Sequence, residues 1–339
     1  MRAVALRVLG AALVAAACGA VWFVTDVTRF MKTPMNVPAE GYVLLVEPGE
    51  TLTRVAARLA ADSILTHPRY LAGYARWHER DRRIQAGEYR VAPDSTPERL
   101  LEMMERGEVV RHQVRLIEGW TWRRALAEIQ SHPLVRATIE SPAEVARILD
   151  LPTPDPEGWF LPATYDFRRG STDVALLETA HRAMVELLES AWPERSRDLP
   201  YQSPYEALIL ASIVEKETAV AEERPRVAGV FVRRLERGMR LEADPTVIYG
   251  LGERFDGNLT RRDLKRDSPY NTYRRGGLPP TPIALPGAAA LDAALHPADG
   301  AELFFVATGE GGHVFSATFA EHRKAVDAWQ RRRGTKENR

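Results

Sequence analysis

The sequence has 339 residues, enough for two or three compact domains and a sizeable hydrophobic core. Its 46 lysines and arginines balance its 46 aspartates and glutamates, so no net positive field would attract nucleic acid, which we exclude as a partner. The single cysteine, Cys18, excludes an intramolecular disulfide and a cysteine metal site.

An apolar run near the N-terminus is the first informative segment. Residues 8–24 carry no charge and approach the roughly 20 apolar residues that span a bilayer. A cleaved signal peptide is the alternative, because residues 15–18 are small, but the run continues past them, so we predict a retained transmembrane helix. Arg2 and Arg7 would stay in the cytoplasm by the positive-inside rule, which places the chain after about residue 26 outside the membrane.

Strand–turn–helix patterns follow a tether that holds two prolines, residues 26–40. Residues 42–46 form a strand-like run, and Thr51 then caps a helix. The pattern recurs over residues 87–104 and again from Val114, where IEGWT echoes VEPGET. One supersecondary unit is therefore used repeatedly.

Residues 41–108 resemble a LysM-like module, above all in the half that reads VEPGETLTRVAARL. Such modules bind glycans that contain N-acetylglucosamine. A purely structural role is the alternative, and the sequence leaves the two open.

The middle of the chain is mixed. Residues 150–157 are rich in proline and predict a loop, whereas residues 173–191 have the periodicity of an amphipathic helix. Trp159 and Tyr165 could stack on sugar rings, but aromatic residues of this kind more often pack in a core, which is the interpretation we favour.

The clearest helix start is Ser203, Pro204 and Glu206, which match an N-cap, a first helical position and a capping box. We predict a helix from there to about residue 221. Glu217 extends its apolar stripe, and a carboxyl group in such a place has a raised pKa that suits a proton donor.

The same pattern has a plainer interpretation, because charged residues are common at solvated helix ends. Spacing alone does not exclude that interpretation. Glu215 lies on a smaller and more polar stripe of the same helix.

The C-terminal half resembles the MltG (YceG-like) family of endolytic murein transglycosylases. The resemblance covers roughly residues 40–330. It rests on the segments ASIVEKETAVAEERPRVAGVFVRRL, MRLEADPTVIYGLG, SPYNTYRRGGLPPTPIALPG and LFFVATGEGGHVFS. In that family the essential glutamate lies in the IVEKET motif. We assign Glu217, because Glu217-Thr218 resembles the Glu-Ser pair of other lytic transglycosylases, and Glu215 is the alternative.

The resemblance implies a reaction without water. Glu217 would protonate the oxygen that links N-acetylmuramic acid to N-acetylglucosamine, and the muramic acid C6 hydroxyl would close a 1,6-anhydro ring. No second carboxylate is needed, in contrast to the usual glycosidases. The resemblance also implies one span in the inner membrane, a periplasmic catalytic part, glycan strands as substrate and cell-wall synthesis proteins as partners.

A glycan groove also needs amide, hydroxyl and aromatic groups. Asn271, Tyr273, Thr246 and Tyr249 are the candidates for substrate binding. The alternative for each is a role in a turn or in the core. Residues 276–287, rich in glycine and proline, predict a stiff loop that shapes the groove wall.

Other chemistries lack their motifs. The sequence has no HExxH, GxSxG, SxxK or GxxxxGK pattern, so we expect no metal and no cofactor. Two alternatives remain: a hydrolysing glycosidase that pairs Glu217 with a second carboxylate, first Asp244, and a non-catalytic glycan-binding scaffold.

The predicted fold class is α+β, with an N-terminal transmembrane helix, a small LysM-like module and an α+β catalytic domain. The predicted segments are a cytoplasmic tip and anchor (1–25), a tether (26–40), the LysM-like module (41–108), a connecting α+β region (109–195), the catalytic region (196–330) and a C-terminal tail (331–339).

Overall fold

The computed structural model of the protein describes residues 2–309 and 311–337. These residues form a mixed α+β structure that divides into two compact units, Met1–His112 and Gln113–Arg339. Met1 of the predicted tip and the last two residues of the predicted tail lie outside the described residues.

The first unit has two strands and four helices. In chain order they are α1 (Arg2–Met31), β1 (Tyr42–Val46), α2 (Leu52–Ala61), α3 (Pro68–Trp77), β2 (Gly87–Val91) and α4 (Pro97–Arg106). Strands β1 and β2 pair antiparallel, with Tyr42 opposite Val91 and Val46 opposite Gly87.

The second unit is mainly helical and carries two small sheets, β3 with β4 and β5 with β6. Its elements are β3 (His112–Arg115), α5 (Trp122–Ser131), α6 (Val145–Ile148), β4 (Thr164–Phe167), α7 (Asp173–Ala191), α8 (Pro204–Glu217), α9 (Arg224–Glu236), α10 (Asp244–Leu251), α11 (Arg261–Lys265), α12 (Ala288–Leu295), β5 (Phe304–Ala307), β6 (His313–Ser316) and α13 (Phe319–Glu337).

The apolar N-terminal helix is longer than the sequence predicts. Its candidate membrane span is Leu6–Met31, 26 residues that include an 18-residue stretch with a mean hydropathy of 2.1. Six residues of the predicted tether are thus helical, and Met31 (1% exposed) and Met35 (7% exposed) lie in the core of the first unit. The sequence suggested a tether because residues 26–40 contain two prolines and no clear periodicity. No local pattern in this segment predicts that the two methionines are buried.

The recurring strand–turn–helix pattern is present, and each helix begins in the same way. The threonine hydroxyls of Thr51, Thr96 and Thr121 accept hydrogen bonds from the third backbone N–H of α2, α4 and α5. The echo between VEPGET and IEGWT is therefore a repeated turn and N-cap. Helix α3 was not predicted, because His67 gives its start no side-chain cap.

Helix α8 is the central element of the second unit. All eight residues 207–214 are buried, so the helix is covered on every side and its apolar stripe is not confined to one face. Helices α9 and α12 pack on it. The helix ends at Glu217, four residues earlier than predicted, because Thr218 takes an extended conformation.

The aromatic residues of the middle segment are in the core. Trp159 is 7% exposed and stacks on Tyr205, and Tyr165 is 8% exposed. The packing interpretation is confirmed, as is the amphipathic helix at α7.

Candidate active site

Glu217 is the last residue of the buried helix α8, and its side chain enters a cleft of about 410 Å³. The Thr218 side chain is also buried, and its hydroxyl accepts a hydrogen bond from the Val220 N–H. This bond holds the turn that follows the helix. The end of a helix that is buried on every side thus carries the carboxyl group.

The cleft lies between three parts of the second unit. Its residues come from the ends of α8 and α9, from the segment that leads into α10 together with Tyr273 in the loop after α11, and from the β5–β6 hairpin with the start of α13. They are Glu217, Arg234, Leu241, Glu242, Asp244, Tyr273, Phe304, Phe305, Val306, Ala307, His313, Phe319 and His322.

The surroundings of Glu217 favour its protonated form. Burial raises the pKa of Glu217 to about 8, and the negative charge of Asp244 adds to the rise. The carbonyls at the C-terminal end of α8 also disfavour a carboxylate. At neutral pH the group therefore holds a proton that it can donate.

Tyr273 lies beside this acid and is the one predicted substrate-binding residue that lines the cleft. Its hydroxyl donates a hydrogen bond of 2.6 Å to the Asp244 carboxylate. Burial and this bond raise the pKa of Tyr273 far above its usual range. Asp244 is exposed and lines the same cleft.

The hairpin side of the cleft is aromatic. His322 stacks on Phe304 with ring centroids 5.2 Å apart, and Phe319 is 63% exposed at the rim. Sugar rings pack on aromatic faces of this kind. These residues were not among the candidates predicted from the sequence, although Phe304 lies in the motif LFFVATGEGGHVFS.

Arg234 connects the walls of the cleft. Its side chain is buried, and it donates hydrogen bonds to the Leu303 carbonyl (2.7 Å), the Leu241 carbonyl (3.0 Å) and the Glu242 carboxylate (3.0 Å). The hairpin and the segment before α10 are therefore fixed to α9.

Glu215 has a different environment. Its carboxylate accepts a hydrogen bond from the Gly287 N–H (3.0 Å) and lies 3.6 Å from the Arg224 guanidinium. Gly287 is the N-cap of α12. The side chain is 7% exposed and lies outside the cleft lining, so Glu215 joins α8 to α9 and α12.

Two predicted substrate-binding residues are buried and occupied by internal hydrogen bonds. The Asn271 amide donates to the carbonyls of Leu264 (3.1 Å) and Arg266 (2.6 Å) and accepts from the Tyr273 N–H (2.9 Å). The Thr246 hydroxyl donates to the Ala243 carbonyl at 2.7 Å. These contacts match the turn and core roles that the sequence left as alternatives.

Tyr249, the fourth candidate, lies on α10 outside the cleft lining. Its hydroxyl donates to the Glu157 carboxyl group at 3.1 Å, and the Trp122 N–H donates to the other oxygen at 2.9 Å. Glu157 is 1% exposed, and burial raises its pKa to about 8. Sequence reasoning missed Glu157 because a single acid in a proline-rich loop has no periodic signal.

The loop of residues 276–287 packs on α8 and lies outside the cleft lining. The Ile283 N–H donates to the Ser212 hydroxyl at 2.9 Å, and Ile283 itself is buried. On the hairpin, His313 pairs with Glu223 at 2.7 Å. Among the described residues, no group of three or more His, Cys, Asp or Glu side chains could hold a metal ion.

Comparisons with known proteins show which family the chain resembles. The model of the YceG-like family matches residues 44–328. A protein named endolytic murein transglycosylase from Bacillus subtilis (strain 168) is 38% identical over 175 residues, 51% of this chain and 48% of that protein. One of the same name from Streptococcus pneumoniae (strain D39) is 26% identical over 328 residues, 85% of this chain and 58% of that protein.

The chain thus spans about half the length of the curated relatives it matches. A crystal structure of a yceG-like protein from Listeria monocytogenes resembles the chain with a TM-score of 0.53 and 26% identity. That match covers 85% of this chain and 99% of the Listeria chain.

Proposed function

The chain belongs to the YceG-like family, and from this membership we propose that it is an endolytic lytic transglycosylase of peptidoglycan. The observation that carries the proposal is a single protonated glutamate, Glu217, in a cleft with one aromatic wall. The relatives named endolytic murein transglycosylase support the same activity.

In the proposed reaction Glu217 acts first as an acid and then as a base. Its proton goes to the oxygen between N-acetylmuramic acid and N-acetylglucosamine, and the bond from that oxygen to C1 breaks. The Glu217 carboxylate then takes the proton of the muramic acid C6 hydroxyl, whose oxygen bonds to C1. The glutamate is regenerated, and the product ends in a 1,6-anhydro ring.

Glu217 is preferred over Glu215 on chemical grounds. A general acid needs a proton at neutral pH and access to the substrate, and Glu217 has both. Glu215 accepts a hydrogen bond from Gly287, faces Arg224 and lies outside the cleft lining, which indicates a structural role.

The other predicted residues take different roles in the proposal. Tyr273 contacts the substrate or orients Asp244, and the Asp244 carboxylate stabilises positive charge that develops at C1. Asn271 and Thr246 hold the backbone around Tyr273 and α10 from within. Tyr249 supports α10 through Glu157.

The first unit is proposed to bind glycan as a LysM-like module. Support comes from a groove of about 560 Å³ between the β1–α2 turn and the segment before β2. The exposed residues Glu47, Thr53 and Arg82 line it, and their side chains are the kinds of groups that hydrogen-bond sugars.

Oligomers of N-acetylglucosamine test this role. Calorimetric titration should show weaker binding for Arg82→Ala than for Arg83→Ala, because Arg83 is the exposed neighbour outside the groove lining. Equal affinities for the two variants would leave the module with a structural role only.

We further propose that α1 anchors the chain by a single span in the inner membrane, with both units in the periplasm. The length and hydropathy of Leu6–Met31 support a span, and Arg2 and Arg7 at its start support the orientation. Proteins of cell-wall synthesis would then be neighbours on the same surface.

The deciding experiment is digestion of uncrosslinked peptidoglycan, with product ends identified by mass spectrometry. We expect anhydro-muramic ends from the wild type and none from Glu217→Gln. Glu215→Gln should also produce them, in an amount proportional to the fraction of this variant that is folded. Loss of the anhydro ends in Glu215→Gln alone would move the acid to that residue. Binding without any cleavage would favour the scaffold.

A hydrolysing glycosidase is the second candidate, because Asp244 lies in the same cleft as Glu217. A hydrolase would need Asp244 as base or nucleophile and would release reducing ends. Reducing ends that disappear with Asp244→Asn would replace the lytic mechanism by hydrolysis.

A further inference from the structure

A second and larger pocket, of about 700 Å³, lies in the same unit at the C-terminal end of α10. Residues 251–266 form it, and none of them lines the Glu217 cleft. Its most frequent side chains are cationic: Arg254, Arg262, Lys265 and Arg266.

These four cations outnumber the two acids of the pocket, Asp256 and Asp263, although the charges of Arg262 and Arg266 help to lower the pKa of Asp263. Within the described part of the chain, none of them has a carboxylate oxygen within 4.0 Å, whereas Arg275 nearby pairs with Asp267 at 3.2 Å. The basic pocket therefore presents an excess of positive charge, with four cations to two acids.

The two acids of the basic pocket are already engaged with backbone groups. Asp256 accepts a hydrogen bond from the Asn258 N–H at 3.1 Å. Asp263 accepts from the Thr260 N–H at 3.0 Å and closes the capping box of α11. Each carboxylate keeps lone pairs for a cation, so the pocket combines excess positive charge with two acceptors.

The basic pocket is tied to the catalytic cleft through α10 and Asn271. Helix α10 has Asp244 at its first position, and its eight residues span about 12 Å. The Asn271 side chain binds the carbonyls of Leu264 and Arg266 and the N–H of Tyr273. One side chain thus sets the position of the pocket rim and of a cleft residue.

We infer that the basic pocket binds the stem peptide of the glycan strand through its carboxylates, while the strand lies in the Glu217 cleft. This inference rests on the proposed function. Arginine forks bind carboxylates with two parallel hydrogen bonds, and uncrosslinked stems carry free carboxylates. A stem with a diamino residue also offers an ammonium group, which fits Asp256 and Asp263.

The two acids of the basic pocket also favour a stem peptide over a lipid pyrophosphate, the other anionic ligand that cell-wall synthesis would offer at the membrane. A purely anionic group would meet repulsion from Asp256 and Asp263 on the same wall, whereas a peptide that also carries an ammonium group can pair this cation with them. The occupant is therefore a peptide, and the enzyme prefers strands that carry their stems.

Binding is measured with the full chain in detergent and with Glu217→Gln, so that no strand is cleaved. The ligands are uncrosslinked strands with stems and the same strands after an amidase has removed them. We expect tighter binding of the strands with stems. The double variant Arg262→Glu/Lys265→Glu should lose this preference, by roughly tenfold in the dissociation constant.

The matched control is Arg168→Glu/Arg182→Glu, which inverts two exposed charges elsewhere in the second unit. It should keep the preference, and thermal melting should show that both double variants are folded. Equal binding of both ligands by the starting protein would overturn the inference, as would an equal loss on both ligands in the pocket variant.

Vesicles that hold a polyprenyl pyrophosphate give the third arm. Pocket-dependent binding of these vesicles, without pocket-dependent binding of the stem-bearing strands, would assign a lipid phosphate and overturn the inference. The assay uses binding alone, so it is independent of the product ends that test the proposed function.

Discussion

The protonation of Glu217 sets the expected pH dependence of catalysis. The acid works only while protonated, so kcat/KM should fall as the pH rises through about 8, the raised pKa of Glu217. Initial rates of strand cleavage between pH 5 and 10 measure this descending limb. A rate that stays constant to pH 10 would contradict Glu217 as the acid.

Asp244 provides a test of the cause of this pKa. Its negative charge disfavours ionised Glu217, so Asp244→Asn should lower the Glu217 pKa and move the descending limb to lower pH. Asp94→Asn, an exposed change in the first unit, should leave the limb in place. A shift of the descending limb to higher pH in Asp244→Asn would contradict the prediction that the charge of Asp244 raises the pKa of Glu217.

The buried carboxyl group of Glu157 predicts how stability depends on pH. Its pKa is raised from 4.5 to about 8, so the folded chain keeps a proton that the unfolded chain releases. The free energy of unfolding should therefore fall as the pH rises from about 5 to 8, by up to about 1.4 kcal/mol per pH unit.

Glu157→Gln removes this contribution and should flatten the pH dependence. Urea unfolding across that pH range measures the slope, in a Glu217→Gln background because Glu217 has a similar raised pKa. Glu186→Gln, an exposed change on α7, serves as the control. An unchanged slope in Glu157→Gln would mean that the buried group is ionised or solvated.

The contact between α8 and the loop of residues 276–287 is an interaction between elements. Ser212 is fully buried, and its hydroxyl accepts a hydrogen bond from the Ile283 N–H at 2.9 Å. Ser212→Ala leaves this N–H without a partner and should lower the free energy of unfolding by about 1–3 kcal/mol.

Chemical denaturation of Ser212→Ala and Ser190→Ala tests this prediction. Ser190 is exposed on α7 and bonds only within its own helix, so its change should cost much less. Equal effects of the two changes would show that a solvent molecule or a shift of the loop satisfies the Ile283 N–H.

The elements show what could be predicted from this sequence. Caps and periodicity are local, so the strands around Tyr42 and Gly87 and the helix starts at Thr51 and Ser203 are as expected. Helix α3 has no capping side chain, and the end of α8 depends on the conformation of Thr218, so neither carried a local signal.

The site was predictable only in part, for a related reason. A motif specifies which residues lie near each other along the chain, but not which atoms face the solvent. Asn271 and Thr246 have the right chemical groups for a substrate, yet backbone partners occupy them. Phe319 and His322 come from a distant helix, and only the tertiary fold brings them to Glu217.

At the scale of the whole molecule, the packing of residues 27–35 in the first unit gives a further prediction. A chain that begins at Asp26 keeps Met31 and Met35 in the core, whereas one that begins at Val37 exposes the core they cover. The shorter chain should lose about 3 kcal/mol or more in the first unit.

Hydrogen exchange at the Leu44 and Tyr89 amides, in the paired strands of that unit, measures this loss. Exchange at buried residues of α8 provides the internal control, since α8 belongs to the second unit. Equal protection of Leu44 in the two chains would show that residues 26–36 act only as a tether.

The unbroken course of α1 has a mechanical consequence. The helix spans about 45 Å, more than the roughly 30 Å of a bilayer core, and its last residue is fixed inside the first unit. With the helix anchored as proposed, no flexible linker separates the bilayer from the first unit, which carries the groove near Thr51. A pulling force on a glycan strand bound in that groove would therefore be transmitted to the membrane through the helix and would tend to tilt it.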